Sequence, residues 1–323
     1  MDRQSLIGTS QTLDMRSDLH SMLMPFFPEE IGLRRYRTTL GNHTITISSD
    51  DPENTIATPA DRKILNLLAG AIAYNIRAGG EPSRHIAIDT RTMVEALADD
   101  SSVGGSQYAR ITTRLKRLMA TVIETEMPLG DDISRRRRFR WIDAFEHDDK
   151  DLPGGRRMLG LRITISEDAF LWMTRTLGYD ISRTRFHSLT SSRSSIWRIY
   201  EICLARLLAN QGADVCIPID YIRTRIPIGS PLKAFKSRTL RGAMDAIAIH
   251  PEMSQHILLS LVSQTGPGLF DDMEFSQRSR LDSLHVRVRK GITPLPPLNR
   301  ILAQSDHKSV ARPSPAGSIS MKI

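Results

Sequence analysis

Two stretches of the chain place basic residues where a helix would line them up. From Ser106 to Thr121, Arg110, Thr113, Arg114 and Arg117 recur at i, i+3, i+4 and i+7, with Gln107 one turn earlier. That spacing puts them on one stripe. In a segment opened by Pro231, Lys233, Lys236, Ser237, Arg238 and Arg241 crowd together. Arginine pairs bidentately with guanine O6 and N7, and glutamine with adenine, so both stretches have the residue types that read base edges in a groove of DNA. The bland alternative for each is a solvated basic face. A third run, Arg135, Arg136, Arg137 and Arg138 followed by Arg140, falls where a hairpin tip is expected, and Arg278 and Arg280 hold the matching place later, followed by Arg287, Arg289 and Lys290. Basic tips of this kind reach phosphates or a narrow minor groove. If such groups neutralise six or more phosphates, affinity falls roughly a thousandfold or more between about 50 and 200 mM salt.

The elements that must hold these residues follow from periodicity. Thr and Ile alternate from Asn42 to Ser48, as in a half-buried strand. Pro59 and Asp61 open a helix to about Ala78 with Ile64, Leu65, Leu68, Ile72 and Ile76 inside, closed by Gly79-Gly80. His85 to Ile88 is a short strand, Asp89 caps a second helix bearing Met93, Val94 and Leu97, and the basic helix follows with Ile111, Leu115, Leu118, Met119 and Val122 on its apolar side. Strands are expected at Thr121 to Met127, Arg137 to Phe145 and Met158 to Ile165. Helix, strand, helix, turn, helix and hairpin is the order of a winged-helix domain. The second half repeats it. A long helix spans Ser192 to Leu208, a strand Val215 to Ile219, Asp220 caps a short helix, and the Pro231 helix carries Leu232, Phe235, Leu240, Met244 and Ile247 on one face. Strands then follow at His256 to Val262, Leu269 to Phe275 and Leu284 to Val288. Ile86-Ala87-Ile88-Asp89 echoes Ile217-Pro218-Ile219-Asp220 in the same slot, which points to internal duplication.

The expected class is α+β, built as tandem winged-helix domains. Residues 1–35, without sustained period and holding Pro25 and Pro28, read as a flexible arm. Residues 36–180 form the first domain, 181–291 the second, and 292–323 a Pro/Ser-rich disordered tail.

The 323 residues carry a formal net charge of +8, which suits a polyanionic partner; 40% are hydrophobic, enough for real cores. Cys203 and Cys216 are the two cysteines and have neither a CxxC partner nor a histidine at zinc spacing, so they read as apolar core residues in a reducing cytoplasm. No apolar run approaches the roughly 20 residues of a bilayer span, and the N-terminus lacks the apolar core of a signal peptide. No GxxxxGK[ST] and no HExxH or HxxEH occurs. The cluster His147-Asp148-Asp149-Asp151 reads as a solvated acidic linker, and His43, His85, His187 and His250 stand singly. No cofactor, metal or catalytic residue is expected, and no membrane association.

Six segments in order resemble the replication initiator protein A family of plasmid initiators, over about Leu40 to Val288. They are ADRKILNLLAGAIAYNIRAGG (60–80), RHIAIDTRTMVEAL (84–97), ARITTRLKRLMATVIET (109–125), RRFRWIDAFE (137–146), LRITISEDAFLWM (161–173) and SSRSSIWRIYEICLARL (191–207). The resemblance implies binding of double-stranded DNA at repeats of a plasmid origin, opening of the duplex and recruitment of the host initiator and replicative helicase. It also implies a monomer that binds the repeats and a dimer, joined through the first domain, that represses its own promoter. Carried over residue by residue, it assigns the reader-helix positions Arg110, Arg114 and Arg117, and Lys236, Arg238 and Arg241. Neither terminus matches the family. Two other readings stand beside it: a winged-helix repressor without initiator activity, and a nuclease or relaxase that would use Tyr179, Tyr200 or Tyr221.

Overall fold

The computed structural model describes residues 13–97, 105–130, 133–152, 155–190, 192–226, 231–273 and 283–302. The chain enters through β1 (Met15–Asp18) and α1 (Leu19–Leu23), then a hairpin of β2 (Arg35–Leu40) and β3 (His43–Ser49). The long helix α2 (Pro59–Arg77) starts at a proline, and Asp61 Oδ2 accepts hydrogen bonds from the Thr58 backbone N–H at 2.8 Å and hydroxyl at 3.0 Å. Gly79 takes a φ of 83° and ends it. There follow β4 (His85–Asp89), α3 (Thr90–Leu97), α4 (Gly105–Ala120), β5 (Thr121–Gly130), β6 (Ile133–Arg140), β7 (Ile142–Leu152) and β8 (Gly155–Ile165). Asp89 caps α3, accepting from the Thr92 N–H at 3.0 Å. Then α5 (Glu167–Arg175), β9 (Gly178–Ile181) and α6 (Arg183–Thr190) lead into the second half.

That half holds α7 (Ser194–Ala209), β10 (Val215–Pro218), α8 (Ile219–Arg223), α9 (Leu232–Ala234), a π-helical segment (Phe235–Leu240), α10 (Arg241–Ile249), α11 (Met253–His256), β11 (Ile257–Gly266), β12 (Leu269–Asp272) and β13 (Leu284–Lys290). Asp220 lies in the first turn of α8 and accepts from Arg223 Nε at 3.0 Å, where a cap was expected.

The sheets show the internal echo directly. One has the order β4-β8-β7 and another β10-β13-β11, extended by β12, with every pairing antiparallel. In both, the short strand after the long helix pairs with the last strand of the half. Ile86 lies opposite Ile163, and Ile217 opposite Val286, all four buried. The first half also owns a sheet that the second lacks among the described residues, ordered β2-β3-β5-β6. This corrects the expected wing. The hairpin placed like β11–β13 is β7–β8, whereas β5–β6 extends the N-terminal hairpin. The strand expected at Arg137 to Phe145 is broken at Trp141, so β6 and β7 belong to different sheets. Trp141 is 3% exposed and packs among Phe26, Phe27, Phe139 and Trp172, with ring centroids 5.2–6.0 Å away. Burying that ring turns the chain. The acidic cluster expected in a linker is part of β7, where Asp148 Oδ2 accepts from Arg162 at 2.9 Å.

Both termini differ from expectation. From Leu13 onward the N-terminal segment is packed rather than a loose arm: Leu13, Met15, Leu19, Met22, Phe26 and Phe27 are all buried. β1 pairs with β9, and Gly70 of α2 lets the Asp14 carbonyl approach so closely that a Cβ would lie 2.0 Å from it. The Pro-rich segment docks through residue 302: Asn299 and Gly178 exchange backbone hydrogen bonds of 2.9 Å, and Leu295, Leu298 and Ile301 pack on the core. Arg16, 2% exposed, ties the two termini together by donating to Asp180 at 3.0 Å and to Asn299 Oδ1 at 2.8 Å.

The long helices of the two halves meet at a buried charge cluster. Glu201 Oε2 of α7 accepts from Arg62 of α2 at 2.6 Å and from Arg198 at 2.9 Å. Ser21 of α1 accepts from Arg62 at 3.2 Å, the Arg62 guanidinium lies 5.3 Å from the Trp197 ring, and all three charged residues are at most 3% exposed. Burial lowers the pKa of Arg198, opposed by the neighbouring Glu201 carboxylate.

Candidate nucleic-acid interface

Helix α4 is amphipathic as its sequence requires. Ile111, Leu115 and Leu118 are buried, and Arg110, Thr113 and Lys116 are exposed. Gln107 and Arg114 are half-buried on the flank of the same outward side. The Thr113 hydroxyl donates back to the Ala109 carbonyl at 3.0 Å, so in this state it is spent within the helix. Arg117 stands apart. Its Nε and Nη2 form a fork on Asp61 at 2.9 and 2.6 Å, and Asp61 is 0% exposed. Arg117 therefore ties the C-terminal end of α4 to the cap of α2. In this arrangement it braces the helix, and Arg110, Thr113 and Arg114 are left as the outward stripe.

The second basic stretch is not one regular helix. A single-turn α9 runs into the π-helical Phe235–Leu240 and then α10. Phe235 and Leu240, both 0% exposed, are five residues apart, and Ala243, Met244 and Ile247 continue the buried side at ordinary helical spacing. A π-turn bonds i to i+5, so it lets two side chains spaced by five point the same way. Lys233, Ser237, Arg238 and Arg241 come out exposed, with Lys236 half-buried. The Ser237 hydroxyl donates to the Lys233 carbonyl at 3.1 Å, and Arg241 lies 4.0 Å from Asp245. The gap between Phe235 and Leu240 is the sequence signal for this turn, and a plain helical reading passes over it.

The run Arg135–Arg138 lies in β6, opposite residues 124–127 of β5. Alternation along a strand splits it between two faces. Arg136 and Arg138 point with Arg140 to one side, where they meet Glu126 at 3.0 Å, Glu124 at 3.4 Å and Asp50 at 2.6 Å. The Arg136 hydrogen bond holds the Glu126 carboxyl below its ordinary range. Arg135 and Arg137 point to the other side, where Arg137 pairs with Asp168 of α5. The expected single cationic tip is thus two rows. Arg278 and Arg280 lie outside the described residues. On β13, Arg289 and Lys290 are exposed, whereas Arg287 donates to Asp272 at 3.1 Å.

Of the three tyrosines a nicking reaction would draw on, two sit inside the protein and Tyr221 is half-buried. Tyr179 is 5% and Tyr200 1% exposed; burial raises both phenol pKa values, and Tyr200 is hydrogen-bonded to His256 Nδ1 at 2.6 Å. The Tyr221 ring lies 3.3 Å below the Arg225 guanidinium. Among the described residues no group of three or more His, Cys, Asp or Glu is placed to hold a metal ion, and no helix is long and apolar enough to cross a membrane.

Comparison with known proteins adds four findings. The sequence profile of the family "Replication initiator protein A" matches residues 16–246. No curated protein matches the chain. A crystal structure of selenomethionine derivatives of domain 2 and domain 3 of RctB superposes with a TM-score of 0.51 at 11% identity, covering 82% of this chain and 95% of that one. A second crystal structure of RctB domains 2–3 gives 0.49 at 10%, covering 84% and 96%. At 11% identity the first likeness concerns the mixed α/β fold alone.

Proposed function

This chain belongs to the replication initiator protein A family, and on that premise we propose that it initiates plasmid replication by binding repeated duplex sequences at an origin through two winged-helix modules. The modules span about residues 36–180 and 181–291, and α4 and the α9–α10 helix are their reader helices. One observation carries this reading. Each of the two helices follows the same helix–strand–helix step, each sits with a sheet of the same strand order, and each turns its apolar side to the core and its basic side outward. That is the placement a recognition helix needs to enter the major groove.

In this role Arg110 and Arg114 in the first module, and Lys236, Arg238 and Arg241 in the second, face the groove, with Gln107 at the start of the first helix. The two readers act on one DNA molecule at adjacent parts of a repeat. Opening of the duplex, recruitment of the host initiator and replicative helicase, and repression of its own promoter belong to the same proposal. The protein acts by binding, without a covalent step, and the burial of Tyr179 and Tyr200 supports that view. A repressor built from the same modules would leave the duplex closed.

The test uses supercoiled DNA carrying the sequence that flanks the gene, searched first for direct repeats. Permanganate footprinting should reveal unpaired thymines in an adjoining AT-rich tract; a closed duplex at saturating protein favours the repressor instead. The double variant R238A/R241A should lose specific binding, at about 1–3 kcal/mol for each base-reading arginine, while its circular dichroism stays that of the parent. Unchanged affinity for the repeats would remove the second helix from the interface.

A further inference from the structure

We propose that the outer face of the sheet β2-β3-β5-β6 is a second DNA surface, one that grips duplex phosphates rather than reading bases. The cross-strand register builds it row by row. Arg35, Ser48, Val122 and Arg140 form one row; Arg37, Thr46, Glu124 and Arg138 the next; Thr39, Thr44, Glu126 and Arg136 the third. Residues directly opposite each other share a face, so five arginines line one side of the sheet: Arg35 and Arg37 on one edge strand, Arg136, Arg138 and Arg140 on the other. The opposite side holds Ile45, Ile47, Ile123 and Phe139 in the core.

The arginines are accessible. Arg35 and Arg37 are exposed, and the side chains of Arg136 and Arg138 are 77% and 63% exposed. Three strand spacings separate the two edges, about 14 Å, and alternate residues along an edge lie about 6.8 Å apart. The major groove is about 12 Å wide, so two arginine rows at that separation meet phosphates on both strands that border it. Between the rows stand Ser48, Thr46 and Thr44 of β3, short enough to let a backbone approach, and the buried Val122 with Glu124 and Glu126 of β5. Among the described residues no aromatic ring is on this face, because Tyr36 and Phe139 alternate to the other. A stacking platform for single strands is therefore missing, and a duplex is the occupant that fits.

The acids on the face do not oppose this. Glu124, Glu126 and Asp50 occupy the three β6 arginines in exposed pairs, which are weak and open to exchange with phosphate. Arg35 and Arg37 make no ion pair among the described residues, although Arg37 adds to the positive field at Glu126. Location favours DNA as well. β5 begins at Thr121, directly after α4, and the Asp50 N–H at the end of β3 donates to the Ala120 carbonyl at 3.0 Å. The face thus starts where the first reader helix ends.

This inference rests on the DNA-binding reading above, and the test separates the two. Binding to a mixed-sequence duplex longer than one helical turn is measured against salt concentration, for the parent and for R35Q/R37Q. Each lost phosphate contact lowers the slope of log K against log salt by about 0.9, so the double variant should show a slope smaller by about 1.8 and uniformly weaker binding, with its discrimination for the repeats intact. E124Q/E126Q, which removes two competing carboxylates, should bind the duplex more tightly. A parental slope in R35Q/R37Q, or a greater loss on the corresponding single strand, overturns the proposal while the reader-helix assignment stands. A parent protein that binds no duplex at low salt sinks the DNA reading of the whole chain.

Discussion

The two halves repeat one plan, yet they hold their basic helices differently. In the first, α4 is a regular helix braced at its end: Arg117 grips a buried aspartate on α2, and an added sheet continues from its last residue. In the second, the basic helix contains a π-turn that carries Lys236 and Arg238, with Lys233 and Arg241 in the helical turns on either side of it. The lesson is that repetition of element order does not fix what each basic residue does. Arg117 and Arg238 look equivalent by charge and slot, but the first is partnered by a carboxylate at 0% exposure and the second is exposed. A buried partner turns a cation into a brace; an exposed one remains available to DNA.

The comparison breaks most severely at the joint between the halves. Replacing Glu201 by Ala leaves Arg62 and Arg198 buried without the carboxylate that bonds both, with only the Glu29 charge still acting on Arg198, which costs about 3–5 kcal/mol. Calorimetry should then show a lower midpoint and two resolved transitions in place of one, as α2 and α7 lose their link. One undisplaced transition would mean that apolar packing alone couples the halves. Next in size is R117A. It strips the fork from Asp61, and leaving that carboxylate buried with a partner missing costs about 1.5–3 kcal/mol, read as a lower Tm. R110A, one turn or more up the same helix and exposed, should leave Tm unchanged and weaken DNA binding. If R117A shifts only DNA binding, the asymmetry between the halves is gone.

Helices α2, α4 and α7 are legible in the sequence because their apolar residues recur every three or four positions over several turns, and no tertiary contact overrides them. The echo around Ile86 and Ile217 is legible for a similar reason: it is local. What is not legible depends on distant partners. β1 is four residues long and gains its place only by pairing Met15 with Ile181; Asn299 gains its own from Gly178 and Arg16. No periodicity announces either, so a packed strap reads as an arm and a docked segment as a tail. Four successive arginines carry no alternation of polarity, and only the burial of Phe139 sets which of them face which way. Of the candidate site, the residue types and the helix faces are legible. The diversion of Arg117 is not, because Asp61 lies 56 positions away in sequence.

The mildest probe of the asymmetry is pH, and it acts on the second half. His256 is buried between Tyr200 and Arg185: its Nδ1 is 2.6 Å from the Tyr200 hydroxyl, and the Arg185 guanidinium donates to Nε2. Arg185 is held in turn by Glu252 at 2.8 Å. Burial, reinforced by the Arg185 charge, lowers the His256 pKa from 6.5 to about 4, with Glu252 pulling the other way. The folded protein therefore keeps the ring neutral over a range in which the unfolded chain binds a proton. A proton taken up only by the unfolded state makes stability fall as pH falls, so this contribution is complete above about pH 6.5 and is lost progressively toward pH 4. Thermal midpoints between those limits should drop in the parent, and the drop should be smaller in H256Q, which cannot titrate. Hydrogen exchange should locate the loosening at α7 and α11, ahead of α2 and α4. Equal loosening of both halves, or an identical pH slope in H256Q, would assign the acid sensitivity elsewhere and leave the two halves alike in this respect.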